Sequence, residues 1–419
     1  MAVVPFENPF RPSAGHMPPY LAGRVHEREG FQTLLSQQVV TDNAIFTGLR
    51  GVGKTVLLES LKPVARQGAW LWTGDDFTES NSLTEGRIAE RIITDLSLTL
   101  APIFVRGQLE LPMGFTSQQA TRPRPLGYED LRKVYDATPG QPADKLKAVL
   151  RYAGALIRDT KIKGIVFAYD EAQNLGDRAQ ENEYPLSLLL DTFQSIQRSP
   201  GGLPFILVLT GLPTLFPKLN EARTYTERMF EVFPLDRLTD DESREAITVP
   251  IEKEKCPVKF SKDTVDTIVK MSGGYPYFIQ FICKETFDVW LSKVAGGQKP
   301  IVPQEEIVRK LDQRFFAGRW DKASDRQREF MQIAALLPTA KKEFTVQDVV
   351  SSSKDLLKRK AFSQASAGMM LKTLTDAGFV FRNRRGKYSF AVPMLDEFII
   401  RQTAVSANLP APFGEPSAT

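Results

Sequence analysis

The sequence contains few of the residues that build metal and disulfide sites. Of its 419 residues, only Cys256 and Cys283 are cysteines, and only His16 and His26 are histidines. These numbers argue against a Cys/His zinc site and against a disulfide framework. They also exclude most Cys–His and Ser–His–Asp hydrolase schemes. Such scarce cysteine is typical of a reducing compartment.

Long hydrophobic runs are also missing. No stretch approaches 18 uncharged apolar residues, and the first 20 residues carry prolines and a glutamate where a secretory signal needs an apolar segment. We therefore expect no membrane span and a cytoplasmic location. The hydrophobic fraction of 42% and the charged fraction of 25% are typical of a folded globular protein, which excludes a disordered or fibrous chain.

The net charge of +4 is small but unevenly distributed. Residues 320–402 contain 15 Lys and Arg against 9 Asp and Glu, so the basic surplus lies in the C-terminal fifth of the chain. A length of 419 residues predicts two or three domains.

Short apolar runs alternate with helical patterns between residues 21 and 236, after a proline-rich arm at 1–20. Continuous apolar runs separated by helices predict a parallel sheet that is covered on both faces, and hence an α/β domain. Residues 100–128 break this pattern and are treated as an insertion. The runs are Ala44–Thr47, Ala69–Trp72, Ile165–Tyr169, Phe205–Leu209 and Phe230–Phe233.

The C-terminal half has a different pattern. Helical spacing in residues 237–319 predicts a small helical domain, which we expect to act as a lid. Residues 320–402 predict three helices followed by a β-hairpin, which is the layout of a winged helix-turn-helix. Residues 403–419 are read as a tail.

One motif in the first domain is specific for phosphate binding. Residues 48–55 read GLRGVGKT and fit the P-loop pattern G-x-x-x-x-G-K-[ST], between an apolar run and a helical segment. The glycines let backbone amides surround the phosphates, while Lys54 supplies positive charge and Thr55 a ligand for Mg²⁺. The residues predicted to bind the nucleotide here are Gly48, Gly51, Val52, Gly53, Lys54, Thr55 and Val56.

Two carboxylates follow the apolar run at 165–169. Asp170 would lie at the carboxyl end of a strand beside the P-loop strand, so we expect it to bind the nucleotide's Mg²⁺ together with Thr55. Glu171 is then the predicted general base that polarises the attacking water.

A polar residue also ends the run at 205–209. The hydroxyl of Thr210 is predicted to hydrogen-bond the γ-phosphate or the attacking water, although a helix-capping role explains it nearly as well. Further on, Arg223 and Arg228 are candidates for a cation that reaches the phosphate of a neighbouring subunit, with Arg228 favoured. Solvated surface charges are the alternative for both arginines.

These features together resemble the AAA+/STAND branch of P-loop ATPases. The arrangement is similar to that of the origin-recognition and replication-licensing ATPases and of their archaeal-type and bacterial relatives. The resemblance implies an α/β P-loop NTPase fold of the AAA+ type with a parallel sheet, a helical lid and a C-terminal winged helix. It also implies that Gly23 and Arg24, in a Gly-Arg-x-x-Glu segment, lie against the adenine.

The lid segment departs from the licensing-type pattern. Those proteins usually have a lid arginine at the γ-phosphate, yet residues 273–280, GGYPYFIQ, contain none. The segment resembles the Gly-x-Pro segment of STAND ATPases, which implies that Pro276 contacts the base. Pro276 also suits the first position of a helix, and both interpretations need the same geometry.

The predicted wing carries four cations, Arg382, Arg384, Arg385 and Lys387, and the predicted recognition helix at 363–377 exposes Lys372. Such a cluster suits the phosphate backbone of double-stranded DNA. Winged helices also serve as protein-docking or autoinhibitory modules, so a protein partner remains an alternative.

The sequence thus predicts an ATPase with ATP and Mg²⁺ as cofactors. We expect a slow switch that couples nucleotide state to DNA binding and forms a homo-oligomer on ATP binding. A STAND-type signalling or defence ATPase acting on a protein partner is one alternative. A transposition-type AAA+ regulator that forms filaments on DNA is the other.

Overall fold

A computed structural model describes most of the chain. The described residues are 7–13, 15–78, 80, 84–108, 121–199, 201–256, 259–294, 302–340, 343–357, 361–384, 386–392 and 394–406. The chain divides into two compact units. The sheet unit comprises Gly23–Gly48 and Gly53–Asp236, and the helical unit comprises Met1–Ala22, Leu49–Val52 and Arg237–Thr419.

Seven strands are found among the described residues of the sheet unit. They are β1 (Asn43–Gly48), β2 (Trp70–Thr73), β3 (Phe104–Gln108), β4 (Thr121–Pro125), β5 (Gly164–Tyr169), β6 (Phe205–Gly211) and β7 (Phe230–Leu235). Five of them form a parallel sheet in the order β2-β5-β6-β1-β7, and β3 pairs with β4 in an antiparallel hairpin. The predicted α/β fold with a parallel sheet is confirmed.

The strand order corrects one expectation about the site. Strand β5, which ends directly before Asp170, does not lie beside the P-loop strand β1. Strand β6 lies between them and pairs with both. The residue next to the P-loop strand is therefore Thr210, which pairs with Phe46, and Asp170 lies one strand further away.

Burial on both faces explains why the central strands read as continuous apolar runs. Every residue of β1, β5 and β6 is buried. Alternate residues such as Phe167 and Leu207 join the core beneath α3, α5 and α6, the helices at Glu85–Leu100, Pro142–Arg158 and Pro185–Arg198. On the opposite face, Phe46 stacks on Phe233 with ring centroids 5.0 Å apart.

The remaining helices of the sheet unit flank these elements. They are α1 (Val25–Leu35), α2 (Lys54–Gln67), α4 (Tyr128–Ala137) and α7 (Leu215–Ala222). Within the predicted insertion, the hairpin β3–β4 and the start of α4 are described, and residues 109–120 lie outside the described residues.

Nine helices and one hairpin are described in the helical unit. The helices are α8 (Asp240–Lys253), α9 (Lys262–Ser272), α10 (Pro276–Val294), α11 (Gln304–Leu311), α12 (Ala317–Trp320), α13 (Asp325–Ala335), α14 (Val346–Leu357), α15 (Gln364–Asp376) and α16 (Leu395–Ser406). The hairpin is β8 (Val380–Arg384) and β9 (Lys387–Phe390). The predicted order of three helices and a hairpin is therefore present at residues 325–390.

Local sequence signals set the ends of these helices. Thr239 and Glu242 form a reciprocal capping box at the start of α8. Helix α9 ends at Ser272 and is followed by Gly273 and Gly274, whose φ angles are 57° and 77°. A Cβ at Gly274 would lie 2.3 Å from the carbonyl oxygen of Leu238, so glycine is required there on two grounds.

The N-terminal arm is anchored in the helical unit. Phe10 is 1% exposed and packs against Phe260 and Phe287. Asn8 donates from Nδ2 to the carbonyl oxygen of Lys284 at 3.0 Å and to Asp288 Oδ1 at 2.7 Å. In the part of the chain that the structure describes, no helix is long and apolar enough to cross a membrane.

The buried side-chain amide of Asn43 forms hydrogen bonds near the amino ends of the sheet strands. Asn43 Nδ2 donates to Gln197 Oε1 at 3.2 Å and to the carbonyl oxygen of Met229 at 3.1 Å. Its Oδ1 accepts from Gln197 Nε2 at 2.8 Å and from the Leu207 backbone N–H at 2.7 Å. One side chain thus satisfies polar groups from α6, from β6 and from the residue before β7.

Replacing Asn43 by alanine should leave several of these buried groups without partners. We expect Asn43→Ala to lower the free energy of unfolding by about 2–4 kcal/mol, because each unpaired buried group costs roughly 1–3 kcal/mol. Urea unfolding followed by circular dichroism measures this change. The matched control is Asn220→Ala: its amide donates to Glu227 and accepts from the Thr226 hydroxyl, which can donate to the Arg223 carbonyl oxygen instead. An equal, small effect in both variants would contradict the role of the Asn43 network.

Candidate functional site

The P-loop residues join β1 to α2, with two glycines in left-handed conformations. Gly51 has a φ of 85° and Gly53 a φ of 92°, values that residues with a side chain adopt only with strain. Helix α2 begins at Lys54, so its first backbone N–H groups and the positive end of its dipole lie at this loop. This local geometry is that of an anion-binding loop.

The Lys54 side chain is held at the loop itself. It is 8% exposed, and Nζ donates to the carbonyl oxygen of Gly48 at 2.9 Å. Thr55 and Val56 follow in the first turn of the helix. A buried ammonium at a helix N-terminus is favourable only where an anion offsets the positive end of the dipole, which suits a phosphate ligand.

The Asp170 carboxylate accepts hydrogen bonds from three polar groups of the sheet unit. Its Oδ2 accepts from Thr55 Oγ1 at 2.5 Å. Its Oδ1 accepts from the Thr210 hydroxyl and, at 2.7 Å, from the backbone N–H of Glu171. The carboxylate is only 2% exposed. The structure thus brings Thr55, Asp170, Glu171 and Thr210, all predicted from the sequence, into one cluster.

The backbone turns sharply at the predicted base. Glu171 has a φ of 52°, in the left-handed region, directly after the end of β5. Its carboxylate accepts from Nε2 of Gln173, a residue that the sequence did not single out. A non-glycine residue in this conformation at the end of a buried strand is a common feature of functional sites.

A third carboxylate beside the cluster was also missed. Asp76 forms an isolated parallel bridge with Asp170, and the N–H of Phe77 donates to the Asp170 carbonyl oxygen at 3.0 Å. Burial raises the pKa of Asp76, and the nearby charges of Asp170, Asp75 and Glu171 raise it further. The sequence signal was Gly74: a Cβ there would lie 2.1 Å from the carbonyl oxygen of Ala168, so the segment approaches β5 closely.

An ion-pair network from helix α3 holds the segment at residues 74–77. Arg91 on α3 donates from Nη2 to Asp75 Oδ2 at 3.0 Å and from Nε to Asp95 Oδ2 at 2.9 Å. The backbone N–H of Asp170 donates to the Asp75 carbonyl oxygen at 3.3 Å. Burial raises the pKa of Asp95, and Arg91 opposes this rise. Helix α3 therefore helps to position the segment beside Asp170.

Gly23 and Arg24 lie immediately before α1. Both have left-handed φ angles, 64° and 66°. The guanidinium of Arg24 is buried and donates to the Asp236 carbonyl oxygen at 2.7 Å and to Glu27 Oε1 at 3.4 Å. These contacts fix the Gly-Arg-x-x-Glu segment against the end of β7.

The middle of the P-loop, Leu49–Val52, belongs to the helical unit. The N–H of Tyr277 donates to the Gly51 carbonyl oxygen at 3.3 Å, and Pro276 is the first residue of α10. The Tyr277 ring lies 5.2 Å from that of Phe315, over which the guanidinium of Arg319 lies at 4.3 Å. The pKa of Arg319 is lowered by burial and by the charge of Arg50.

The structure does not bring Arg228 to the Asp170 cluster. Arg228 is exposed and precedes β7, so it lies at the amino ends of the strands, whereas Asp170 lies at their carboxyl ends. It lines a pocket of about 420 Å³ together with Tyr225 and Arg198. Arg223 makes a bidentate ion pair with Asp191, at 2.8 and 2.7 Å.

Three of the four predicted wing cations, Arg382, Arg384 and Lys387, lie on the hairpin β8–β9. Arg382 on β8 and Lys372 on α15 are exposed, and Lys387 on β9 is half-buried. Arg384 pairs with Lys387 across the strands, next to a bulge after Arg382. Arg385 lies outside the described residues.

The comparisons with known proteins cover the C-terminal part at the sequence level and nearly the whole chain at the structural level. A family described as "domain of unknown function (DUF8462)" matches residues 313–399. No curated protein matches the sequence.

The solved structures that are similar to this chain over nearly their full length include the following two. The Walker-type ATPase PABY2304 of Pyrococcus abyssi has a TM-score of 0.59 and 14% identity, with 91% of this chain and 96% of that chain covered. The ORC2 protein of Aeropyrum pernix, in its ADPNP and ADP complexes, has a TM-score of 0.54 and 14% identity, with 95% and 97% covered. At this identity the likeness establishes the fold. The α/β fold with a parallel sheet that the resemblance to origin-recognition ATPases implied is thereby confirmed.

Proposed function

We propose that this protein binds and hydrolyses ATP. The observation that carries the proposal is the Asp170 carboxylate, which joins the P-loop residue Thr55 to Glu171 and to Thr210. A phosphate-binding loop, a metal-supporting carboxylate and a second carboxylate at a strand end are the parts that phosphoryl transfer to water needs.

The donor set suits Mg²⁺. The Thr55 hydroxyl donates a hydrogen bond to Asp170, which leaves a lone pair on the hydroxyl oxygen for a hard cation. Among the described residues no group of three or more His, Cys, Asp or Glu side chains forms a metal site, so the ion would depend on phosphate oxygens as well. Thr55 would hold the ion and Asp170 would support it, and the bound ion would neutralise negative charge on the phosphates.

The chain's own residues then have distinct tasks. Lys54 and the amides between Gly48 and Val56 bind the phosphates. Glu171 takes a proton from the attacking water, and Thr210 keeps Asp170 oriented through its hydrogen bond. We expect slow turnover, because a switch benefits from a long-lived bound state.

For the C-terminal residues we propose a winged helix that binds double-stranded DNA. The three helices, the hairpin and the exposed cations Lys372 and Arg382 support this proposal.

The position of Arg228 at the opposite end of the sheet from Asp170 suits a role in a neighbouring subunit of an ATP-dependent oligomer. A signalling switch with a protein partner is the second candidate. The observation that favours it is the hydrogen bond from the Tyr277 N–H to the Gly51 carbonyl oxygen, by which α10 would respond to a nucleotide at this loop; both residues belong to the helical unit.

Lys54→Ala should weaken ATP binding by about 10- to 100-fold, because a hydrogen bond from a charged donor contributes roughly 1.5–3 kcal/mol. Isothermal calorimetry with ATP and Mg²⁺ measures the change. Lys62→Ala is the matched control on the same helix, since Lys62 pairs with Glu59. Equal affinity in the wild type and Lys54→Ala would refute the P-loop assignment.

Glu171→Gln should leave ATP affinity unchanged and lower kcat by about 100- to 10,000-fold, since the amide cannot accept the water's proton. Phosphate release under saturating ATP measures kcat. Glu181→Gln, at an exposed position, is the control and should behave like the wild type. Unchanged hydrolysis in Glu171→Gln would remove this residue from the base role.

Replacing Arg384 and Arg385 by alanine should weaken duplex binding on all sequences alike. The slope of log affinity against log salt should fall by up to about 2, since each neutralised phosphate contributes about 0.9. Fluorescence anisotropy across a salt series, with ATP present, gives this slope. The control removes two exposed cations of the sheet unit, Lys133 and Arg151. An unchanged affinity and slope in the wing variant would exclude the wing as a DNA contact, and absence of duplex binding by the wild type would favour the signalling switch.

A further inference from the structure

The side-chain amide of Gln173 makes a hydrogen bond at each of its two ends. Nε2 donates to Oε2 of Glu171, and Oε1 accepts from the backbone N–H of Leu212 at 3.1 Å. Because a carboxylate only accepts and an N–H only donates, these partners determine which way the amide faces. Gln173 therefore joins the carboxylate after β5 to the loop after β6.

The hydrogen bond uses one carboxylate oxygen and leaves the other available. Among the described residues, Oε1 of Glu171 accepts no hydrogen bond from the protein. A general base needs one oxygen in reach of water and a fixed orientation. The arrangement at Glu171 meets both conditions, because Oε2 is held while Oε1 is left for a water molecule.

We propose that Gln173 is the positioning residue for the base: it orients the Glu171 carboxylate and ties that orientation to the loop at residues 211–212. This inference rests on the proposed ATPase function and adds a residue that no sequence motif assigned. It also predicts that the loop between β6 and α7 regulates hydrolysis. A displacement of this loop would move Leu212, Leu212 would move the Gln173 amide, and the amide would move the Glu171 carboxylate.

The rest of the segment is held independently of this amide. Lys218 Nζ donates to the Gln173 carbonyl oxygen at 2.8 Å, and burial lowers the pKa of Lys218. Asn174 Nδ2 donates to the Phe77 carbonyl oxygen at 2.7 Å. The backbone at 172–174 should therefore keep its place when the Gln173 side chain is shortened, so that the loss of this amide acts on Glu171 and Leu212 and not on the backbone at 172–174.

The fit at Gly211 supports a close and specific contact. A Cβ at this position would lie 2.6 Å from Gln173 Oε1 and 2.9 Å from Leu215 Cδ2. Any larger residue at 211 would push the amide away from Leu212. Gly211 is thus the residue that lets the amide reach the loop.

The test compares four variants in ATP hydrolysis and ATP binding with Mg²⁺. Gln173→Ala should lower kcat by about 10- to 100-fold and leave the Kd for ATP within about twofold, because misplacing a catalytic group costs rate and not binding. Gln173→Glu keeps the acceptor for Leu212 but replaces the donor to Glu171 with an oxygen, so it should lose at least as much kcat. Gln173→His carries both a donor and an acceptor and should recover part of the loss. Asn174→Ala is the matched control, since it removes the neighbouring amide without touching Glu171.

A second measurement needs no turnover. In the nucleotide-free protein, hydrogen exchange of the Leu212 amide should accelerate in Gln173→Ala and stay slow in Gln173→Glu, which retains the acceptor. Thermal unfolding of each variant verifies that the fold is retained. Unchanged exchange at Leu212 in Gln173→Ala would overturn the proposed link to the loop.

The kinetic outcomes separate this proposal from the function on which it rests. If Glu171→Gln hydrolyses ATP as fast as the wild type, the base assignment is wrong and the positioning role is wrong with it. If Glu171→Gln is inactive while Gln173→Ala matches the wild type or exceeds it, only the positioning role is overturned. Equal losses of kcat in Gln173→Ala and Asn174→Ala would also overturn it, because general loosening of the loop would then explain both.

Discussion

The Asp170 carboxylate is the constraint on which the rest of the site depends. A nearly buried anion is stable only if donors replace the water that it has lost. Thr55, Thr210 and the N–H of Glu171 supply these donors, and each comes from a different element or turn. The start of α2, the end of β6 and the turn after β5 therefore meet at this carboxylate.

The strand order explains how these donors reach Asp170. Strand β6 lies between β1 and β5, so Thr210 lies between the P-loop strand and the strand that ends directly before Asp170. Its hydroxyl contacts the carboxylate directly. The sequence position of Thr210 suggested either a phosphate contact or a helix cap. In the structure Thr210 also supports the predicted metal site.

Several residues contact the polar cluster around Asp170 only because distant segments of the chain are brought together by the fold. Asp76 becomes part of the cluster because Gly74 lets the segment after β2 run against Ala168, and Arg91 supports that segment from α3. Gln173 contacts Leu212, which is 39 residues further along the chain. No spacing rule connects these residues, so local pattern cannot identify them.

The sequence by itself determined the elements whose signals are local. The apolar runs placed the five parallel strands, and the motif GLRGVGKT placed the loop between β1 and α2. Capping residues and the pair Gly273–Gly274 placed the ends of helices in the helical unit. Only the tertiary structure decided that β6 separates β1 from β5, and that Arg228 and Asp170 lie at opposite ends of the sheet. The physical reason is that a strand buried on both faces is apolar throughout, so its sequence does not show which strand pairs with it. The packing of helices on both faces of the sheet decides the pairing.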